Sequence, residues 1–472
     1  MPKRNLLLLS LIAAISLLAW LARDHGRQTR SVAEVVSAIE RVYLEPVDPD
    51  DLAAAALDGV MAKLDEHSAL VDGPARRELE ATLDQEFGGV GLELASSPEG
   101  VVVHAPVAGG PAWRAGVRAG DVIVSLDGAD ARRMTVRDAV SILRGDAGSS
   151  VVIGLRRLPG AGGIDGSEAA ADLHTLTLVR EIVRTDSVLG DRRRPDGTWD
   201  WLIEGEPGIA LVRITSFGER TAAELDAALA AIAAVPGLRG LVLDLRGNPG
   251  GLLTAAVDVC DRFLDDGVIV ATRRRGADDG VVVEPRRAAP GSMLAGVPIV
   301  VLIDGLTASA AEIVAACLQD HGRAVVVGGR SFGKGTVQSI LPLSDGRRLL
   351  KLTTGEYMRP SEAGIDRRGD DAAWGVSPDA GLAIDVTGRT LAALQAWRRQ
   401  RDAVPSTGQE PGLGETDSAG ELPRGIDPVL AAGIRAIASP EAHLRGQEET
   451  ARDTDEAVSP GETAAAGQGF GG

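Results

Sequence analysis

The amino-acid sequence predicts an α/β core that carries an inserted β-rich domain and is preceded by a helical region. Three patterns support this prediction. Residues 30–82 contain alanine-rich amphipathic segments such as DLAAAALDGVMAKL, which are typical of helices. Between residues 83 and 183, short β-like runs alternate with glycine turns. From residue 208 onward, strands and helices alternate, which is typical of a largely parallel sheet covered by helices. Catalytic groups of such a core are expected at strand ends and helix starts.

The chain begins with MPKRNLLLLSLIAAISLLAWLA, in which two basic residues precede an apolar run from Leu6 to Ala22. Such a segment is an export signal or a membrane anchor. Because Trp20 disrupts a small-x-small cleavage site, we expect an uncleaved anchor rather than a cleaved signal, with the remaining chain exported to the periplasmic side of the bacterial inner membrane. The predicted regions are the anchor (1–29), the helical region (30–82), the β-rich domain (83–183), the α/β core (184–398), and a linker, short helix and disordered tail (399–472).

Composition excludes several classes of function. A net charge of -18 argues against nucleic acid as a partner, because binding a phosphate backbone needs clustered positive charge. The histidines are scattered and the two cysteines lie in apolar helical patterns, so we expect no metal site and no disulfide framework. Arginine cannot release its proton in a protein, so a lysine that acts as a base could not be exchanged for arginine, and each lysine is worth considering. The lysines are Lys3, Lys63, Lys334 and Lys351.

The segment GGRSFGK, residues 328–334, is close to a nucleotide-binding loop. A phosphate loop needs Ser or Thr after the lysine to hold magnesium, and a helix that begins beneath the phosphates. Here Gly335 follows Lys334, and the next residues, TVQSILP, predict a strand. The sequence therefore argues against a nucleotide site.

Ser309 follows a predicted buried strand, VPIVVLID, and precedes a predicted helix, AAEIVAACLQD. One interpretation is a helix cap, because Ser309 and Glu312 fit the capping box S-x-x-E. The other is a nucleophile, because the unpaired N–H groups and the positive end of a helix favour an oxyanion. The N–H of Ala310 is one candidate donor to that oxyanion. A second is expected from Gly250 or Gly251 in VLDLRGNPGGLL, although a plain tight turn also explains these glycines.

A serine nucleophile needs a base. His321 is expected to cap the far end of the same helix, away from Ser309. Lys334 is the better candidate, since a lysine desolvated among apolar groups has its pKa lowered from ~10.4 towards neutrality and then accepts the serine proton. The amide oxygen of Gln338 is a candidate to hold the lysine amine. On a flat strand these two residues would be ~13 Å apart, so this contact requires a bend, which Gly335 permits.

The motifs DLRGNPGG, TASAAEIVAACLQD and GGRSFGKGTVQ, in this order, resemble the carboxy-terminal processing peptidases, also called tail-specific proteases. The resemblance runs from LDEHSAL near residue 64 to GVSPDAGL near residue 382. It implies a core related to crotonases and the caseinolytic peptidase. It also implies a serine endopeptidase without a cofactor, which cleaves near protein C-termini with a Ser-Lys dyad and a supporting Gln. These roles map onto Ser309, Lys334 and Gln338.

The resemblance extends to the β-rich domain, which is similar to a PDZ domain. FGGVGLEL resembles the carboxylate-binding turn, and VRDAVSILRG resembles the helix beside the peptide groove. This implies that N–H groups hold the free C-terminal carboxylate of a substrate or regulator while the peptide adds to the domain as a strand. The donors would be Gly89, Val90, Gly91 and Leu92, for which a simple glycine-rich turn is the alternative interpretation.

The leading hypothesis is an exported, membrane-associated serine endopeptidase whose partners are proteins or peptides with free C-termini. The resemblance implies that the PDZ domain can gate the core, and an adaptor protein is a further candidate partner. The alternative is a non-cleaving PDZ scaffold with a peptidase-like core. An acyl-processing enzyme of the crotonase type is disfavoured, because such enzymes have no evident use for a peptide-binding domain. Residues 30–82 are expected either to form a homodimer or to pack against their own core.

Overall fold

The computed structural model describes residues 27–157, 172–276, 278–368, 374–403 and 427–438. The apolar run from Leu6 to Ala22 and the predicted disordered tail lie outside these residues. Among the residues described, no helix has both the length and the apolar character needed to span a bilayer. The chain divides into two units, one formed by residues up to 73 together with 338–353, and the other by residues 74–337 together with residues from 354 onward.

The helices and strands follow the order that the sequence patterns predict. The helices are α1 (Arg27–Val42), α2 (Pro49–Met61), α3 (Gly73–Asp84), α4 (Pro111–Arg114), α5 (Val136–Leu143), α6 (Thr221–Ala233), α7 (Leu253–Asp261), α8 (Ala310–Asp320), α9 (Gly388–Asp402) and α10 (Pro428–Ala438). The strands are β1 (Ala69–Val71), β2 (Glu86–Gly89), β3 (Leu92–Ser97), β4 (Gly100–Pro106), β5 (Val122–Leu126), β6 (Ala129–Asp130), β7 (Ser150–Arg157), β8 (Asp172–Val179), β9 (Glu181–Arg184), β10 (Val188–Leu189), β11 (Arg192–Arg193), β12 (Trp199–Asp200), β13 (Ile209–Ile214), β14 (Gly240–Asp244), β15 (Val268–Arg275), β16 (Val281–Arg287), β17 (Ile299–Ile303), β18 (Ala324–Gly328), β19 (Thr336–Pro342) and β20 (Leu349–Met358).

The core of the larger unit is a sheet with strand order β10-β13-β14-β17-β18, in which the last four strands are parallel. Strands β14 and β17 are buried on both faces, as expected for parallel strands covered by helices on both sides. Leu241 and Leu243 pack in the cluster that contains the helices α6, α7 and α8, whereas Val242 packs in the cluster that contains α10. Successive side chains of a strand point to opposite faces, so one strand supports both layers. The predicted α/β core is confirmed.

The inserted β-rich domain is also confirmed. Strands β3, β4, β5, β7 and β8 form an antiparallel sheet in that order, around a separate apolar cluster. Helix α5 begins with a capping box in which Thr135 N–H donates to Asp138 and Asp138 N–H donates to Thr135. Strands β2 and β9 carry the chain into and out of this domain and pair with each other.

The antiparallel strands β15 and β16 form a hairpin, and β15 also pairs with residues 355–358 of β20 within the larger unit.

In the smaller unit, α1 and α2 are the helices predicted for the N-terminal region, and β1 pairs with residues 349–351 of β20. Asp48 provides the cap of α2 by accepting the N–H of Asp50 at 2.9 Å.

Candidate active site

Three loops leave the carboxyl ends of adjacent parallel strands. We call residues 247–251, which follow β14, the glycine loop, and residues 329–335, which follow β18, the lysine loop. Between them, the turn after β17 leads to Ser309. Because β14, β17 and β18 are neighbours in the sheet, these loops converge at one edge. The strand ends and the helix start at which the sequence predicted catalytic groups therefore lie close together.

Ser309 directly precedes helix α8 in a strained backbone conformation, with φ of 56° and ψ of -117°. Ordinary N-cap residues have an extended backbone with negative φ. Positive φ at a residue other than glycine costs on the order of 1–3 kcal/mol and is concentrated at functional sites. Ser309 is 8% exposed. Its backbone geometry therefore favours a chemical role over helix capping alone.

Glu312 connects Ser309 to the lysine loop. Its carboxylate is fully buried, and its Oε2 accepts the N–H of Ser309 at 2.7 Å and the N–H of Lys334 at 2.8 Å. The two amide nitrogens therefore lie within about 5.5 Å of each other, the sum of 2.7 Å and 2.8 Å. The second oxygen, Oε1, accepts the Ser331 hydroxyl and the Gly333 N–H, both at 2.6 Å. One buried carboxylate thus holds the main chains of the predicted nucleophile and base together.

Burial raises the pKa of the Glu312 carboxyl above its ordinary value, and the hydrogen bonds from Ser331, Lys334, Gly333 and Ser309 offset part of that rise. The sequence indicated only one of these contacts, the one to Ser309 in the capping box. The contacts to the lysine loop were missed, because no local pattern relates Glu312 to residues about twenty positions further along the chain.

The glycine loop contacts Ser309 closely. Gly250 has φ of 99°, and a side-chain Cβ at this position would lie 2.8 Å from the Cβ of Ser309 and 2.7 Å from the oxygen of Ala308. The same added Cβ would lie 3.0 Å from the main-chain nitrogen of Ala310. Only glycine allows this approach, so the loop forms a wall of the candidate site beside Ser309.

The three predicted oxyanion donors differ in their hydrogen bonding. The N–H of Gly250 donates to Oδ1 of Asn248 at 2.8 Å. By contrast, the N–H groups of Ala310 and Gly251 have no hydrogen-bond partner within the described ranges of the chain. Buried N–H groups without a partner are uncommon, and Ala310 is buried. Of the two glycines, Gly251 is therefore the better candidate to act with Ala310.

Asn248 and Asp304 were not identified from the sequence, although both hold the glycine loop in place. Asn248 is fully buried, donates to the oxygen of Ile214 at 2.7 Å, and accepts the N–H of Ala308 on its main-chain oxygen at 2.9 Å. Asp304 accepts the N–H of Gly247 on Oδ1 at 2.9 Å, and the same oxygen accepts the amides of the turn that leads to Ser309. A polar residue at the end of a buried strand was the only local signal for Asp304.

The lysine loop is not a phosphate-binding loop. Lys334 is half-buried, and two residues after it the strand β19 begins, as predicted, where a nucleotide site requires a helix. Glycine is needed at Gly335, because a Cβ there would collide with the main chain of Asp366. His321 caps the far end of α8, also as predicted.

Gln338 lies in β19, in the smaller unit. Its Nε2 donates to the hydroxyl of Thr353 at 3.3 Å, and that hydroxyl donates to Asp65 at 2.9 Å. Asp65 also accepts the hydroxyl of Ser68 at 2.8 Å. The side chain of Gln338 is thus part of a polar cluster, and its role towards Lys334 stays a prediction.

The candidate carboxylate-binding turn joins the last residue of β2 to the first residue of β3. It contains Gly89, Val90, Gly91 and Leu92, and Gly91 has φ of 71°, a conformation that glycine adopts without strain. The oxygen of Val90 accepts the N–H of Ala112 at 2.9 Å, which fixes the turn to α4. Helix α5 packs beside β3, as the helix of a peptide groove should. Binding of a carboxylate by these four residues stays a prediction.

Comparison with known proteins gives two family matches and close relatives. Peptidase family S41 matches residues 208–382, and the PDZ domain family matches residues 102–157. The chain is 35% identical to the carboxy-terminal-processing protease of Bartonella bacilliformis over 356 residues, which cover 75% of this chain and 74% of that protein. It is 31% identical to the carboxyl-terminal-processing protease of a Picosynechococcus species over 333 residues, 70% of this chain and 74% of that protein. Among solved structures, the photosystem II D1 C-terminal processing protease is 30% identical and has a TM-score of 0.40, with 75% of this chain and 92% of that chain covered.

Proposed function

Because this chain belongs to the carboxy-terminal processing proteases of peptidase family S41, we propose that Ser309 is its nucleophile and Lys334 its general base. The observation that carries this proposal is the shared acceptor of their main chains, Oε2 of Glu312. A nucleophile and its base must come within hydrogen-bond reach, and a common anchor for both main chains supports that approach. The strained backbone of Ser309 supports the same assignment.

In the proposed reaction, the Ser309 hydroxyl attacks the carbonyl carbon of the peptide bond and its proton passes to the neutral amine of Lys334. The N–H groups of Ala310 and Gly251 stabilise the resulting oxyanion. Lys334 then gives the proton to the leaving amine, which departs and leaves an acyl ester on Ser309. Water, deprotonated by Lys334, hydrolyses this ester and restores the serine.

A purified preparation of the chain tests the dyad directly. We expect the wild type to cleave an unstructured protein with a free C-terminus, and Ser309→Ala and Lys334→Arg to produce no fragments by mass spectrometry. Arginine keeps the charge but cannot act as the base. Lys351→Arg is the matched control, because Lys351 is another half-buried lysine, and it should retain cleavage. Turnover by Lys334→Arg at the wild-type rate would remove the lysine from the mechanism, whereas a wild type that binds peptide without cleaving it would favour a scaffold.

We further propose that Gln338 orients the amine of Lys334.

We also propose that the carboxylate-binding turn of the PDZ domain holds the C-terminal carboxylate of a substrate or regulator. Its residues are Gly89, Val90, Gly91 and Leu92. The fixed turn and the adjacent helix α5 support binding of a peptide as an added strand. A peptide with a free C-terminus should bind at least tenfold more tightly than its C-terminal amide, as measured by calorimetry. Equal affinities would contradict recognition of the carboxylate.

We infer from residues 1–22 that the chain is exported and held at the periplasmic side of the inner membrane. The run from Leu6 to Ala22 is the proposed anchor. Fractionation of cells should recover the full chain with membranes, and a chain lacking residues 1–29 should remain in the cytoplasm. Recovery of the full chain in the soluble cytoplasmic fraction would contradict this inference.

A further inference from the structure

A buried ion pair joins the residue before the last helix described, Asp427, to the residue before the glycine loop, Arg246. Helix α10 packs against β14, β17 and β18, on the face of the sheet opposite to α8. Asp427 precedes α10, is 5% exposed, and accepts the N–H of Leu430 at 2.9 Å as a helix cap. Its carboxylate also accepts NH1 and NH2 of Arg246 at 2.8 Å and 2.9 Å.

Arg246 makes a second two-bond contact with Asp244, through Nε at 2.9 Å and NH2 at 2.7 Å. Its guanidinium is therefore held on two sides by carboxylates. Burial alone raises the pKa of the Asp244 carboxyl, but the charge and hydrogen bonds of Arg246 outweigh this effect and hold that pKa below its ordinary value. Asp244 and Arg246 are thus charged partners, and Asp427 contacts the same guanidinium at a buried position.

Arg246 is the residue immediately before the glycine loop. The next residue, Gly247, is fixed by Asp304, and Gly250 contacts Ser309. If Asp427 lost its charge, Arg246 would be a buried cation with one carboxylate fewer, and such cations shift towards water or another partner. Because Arg246 is joined directly to Gly247, a shift of Arg246 would disturb the main chain of the glycine loop beside Ser309.

We propose that Asp427 is a positioning residue for the active site, which through Arg246 keeps the glycine loop, and with it the N–H of Gly251, in place for the oxyanion. This proposal rests on the proposed function. It makes α10, although it lies far along the chain from Ser309, a part of the catalytic apparatus rather than only a cover of the sheet.

Asp427→Asn tests the proposal, because asparagine still caps a helix but lacks the charge that pairs with Arg246. We expect kcat for peptide cleavage to fall at least tenfold while KM stays within twofold. The affinity for a peptide aldehyde, which forms a tetrahedral adduct with the serine, should fall by the same factor, whereas the affinity for a cleaved peptide product stays unchanged. Asp427→Glu should recover part of the lost kcat.

Asp191→Asn and Asp402→Asn are the matched controls. Asp191 pairs with Arg398 and Arg401, and Asp402 pairs with Arg213, so both variants break ion pairs of α9 without involving Arg246. Asp427 also lies 3.9 Å from Arg398, and Asp191→Asn controls for that contact. Both controls should keep kcat within twofold when thermal unfolding shows that they are folded.

Unchanged kcat in folded Asp427→Asn would overturn the proposal. A parallel loss of kcat and thermal stability in all three variants would also overturn it, since the ion pair would then be only structural. The Ser309→Ala result is independent of these outcomes, so failure of the dyad and failure of the positioning role are distinguishable.

Discussion

The glycine loop and the lysine loop flank Ser309 and are both held by a carboxylate, but in different ways. Asp304 is half-buried and holds the glycine loop through a single oxygen, Oδ1. Glu312 is fully buried and uses both oxygens, one for Ser331 and Gly333 and the other for Lys334 and Ser309. An amide side chain retains one accepting oxygen, so it replaces the first carboxylate but not the second.

The two loops therefore depend on different kinds of interaction for their position beside Ser309. The glycine loop relies on close main-chain contact with Ser309 and on supports shared among Asn248, Asp304 and Arg246. The lysine loop relies on one charged group. We therefore expect the glycine loop to be most sensitive to added volume, and the lysine loop to be most sensitive to loss of charge.

Gly250→Ala should have the largest effect. The added Cβ would lie 2.8 Å from the Cβ of Ser309 and 2.7 Å from the oxygen of Ala308, so the main chain has to move and the oxyanion donors move with it. Losing one such donor costs roughly 10²–10³-fold in kcat. Steady-state cleavage of a fluorogenic peptide measures this loss.

Gly247→Ala is the control for Gly250→Ala. Gly247 also has positive φ, 69°, but a Cβ there meets no atom within 4 Å. Its substitution introduces backbone strain without contact with Ser309, so kcat should stay within about tenfold of the wild type. Equal losses in the two variants would show that strain, and not contact with Ser309, explains the need for glycine.

Glu312→Gln should have the second-largest effect. The amide nitrogen cannot accept, so two of the four donors lose their partner, each at a cost of about 1–3 kcal/mol. We expect kcat to fall roughly 10–100-fold, because the main chains of Ser309 and Lys334 lose their common acceptor. Asp304→Asn is the same exchange in the other loop and should change kcat by less than about threefold. A larger loss in Asp304→Asn than in Glu312→Gln would reverse the comparison of the two loops.

The smallest expected effect is on the pH dependence of stability. Burial raises the folded-state pKa of Glu312 above its ordinary value of 4.5, so ionisation of this group is less favourable in the folded chain than in the unfolded chain. Its contribution is fully present below the unfolded pKa and is lost as pH rises through the folded pKa. The free energy of unfolding of the wild type, minus that of Glu312→Gln, should therefore decrease with rising pH between 4.5 and the folded-state pKa, by up to ~1.4 kcal/mol for each pH unit.

Urea unfolding of both proteins at a series of pH values measures this difference. A difference that increases with pH would mean that the folded chain favours the ionised carboxylate, and the pKa of Glu312 would then be lowered rather than raised.

Much of the fold was predictable from local sequence, because local patterns decide local structure. The apolar run of β17, the change to a helical pattern after Ser309, and the β-branched residues after Lys334 predicted the observed elements. The capping-box pattern predicted the bond from Ser309 to Glu312. The rest of the Glu312 contacts was not predictable, because residues 331–334 approach it only after β17 and β18 pair.

The sequence by itself determined that a serine starts a helix, that glycines precede it in one loop, and that a lysine lies in another. Each of these facts follows from residue types and spacings within one segment, where backbone preferences and burial patterns act locally. Only the tertiary structure decided that the segments meet at Glu312, that the side chain of Asn248 accepts the N–H of Gly250, and that Arg246 pairs with Asp427. These contacts join residues from separate loops and helices, and their geometry depends on how the parallel strands align in the sheet, which no single segment encodes.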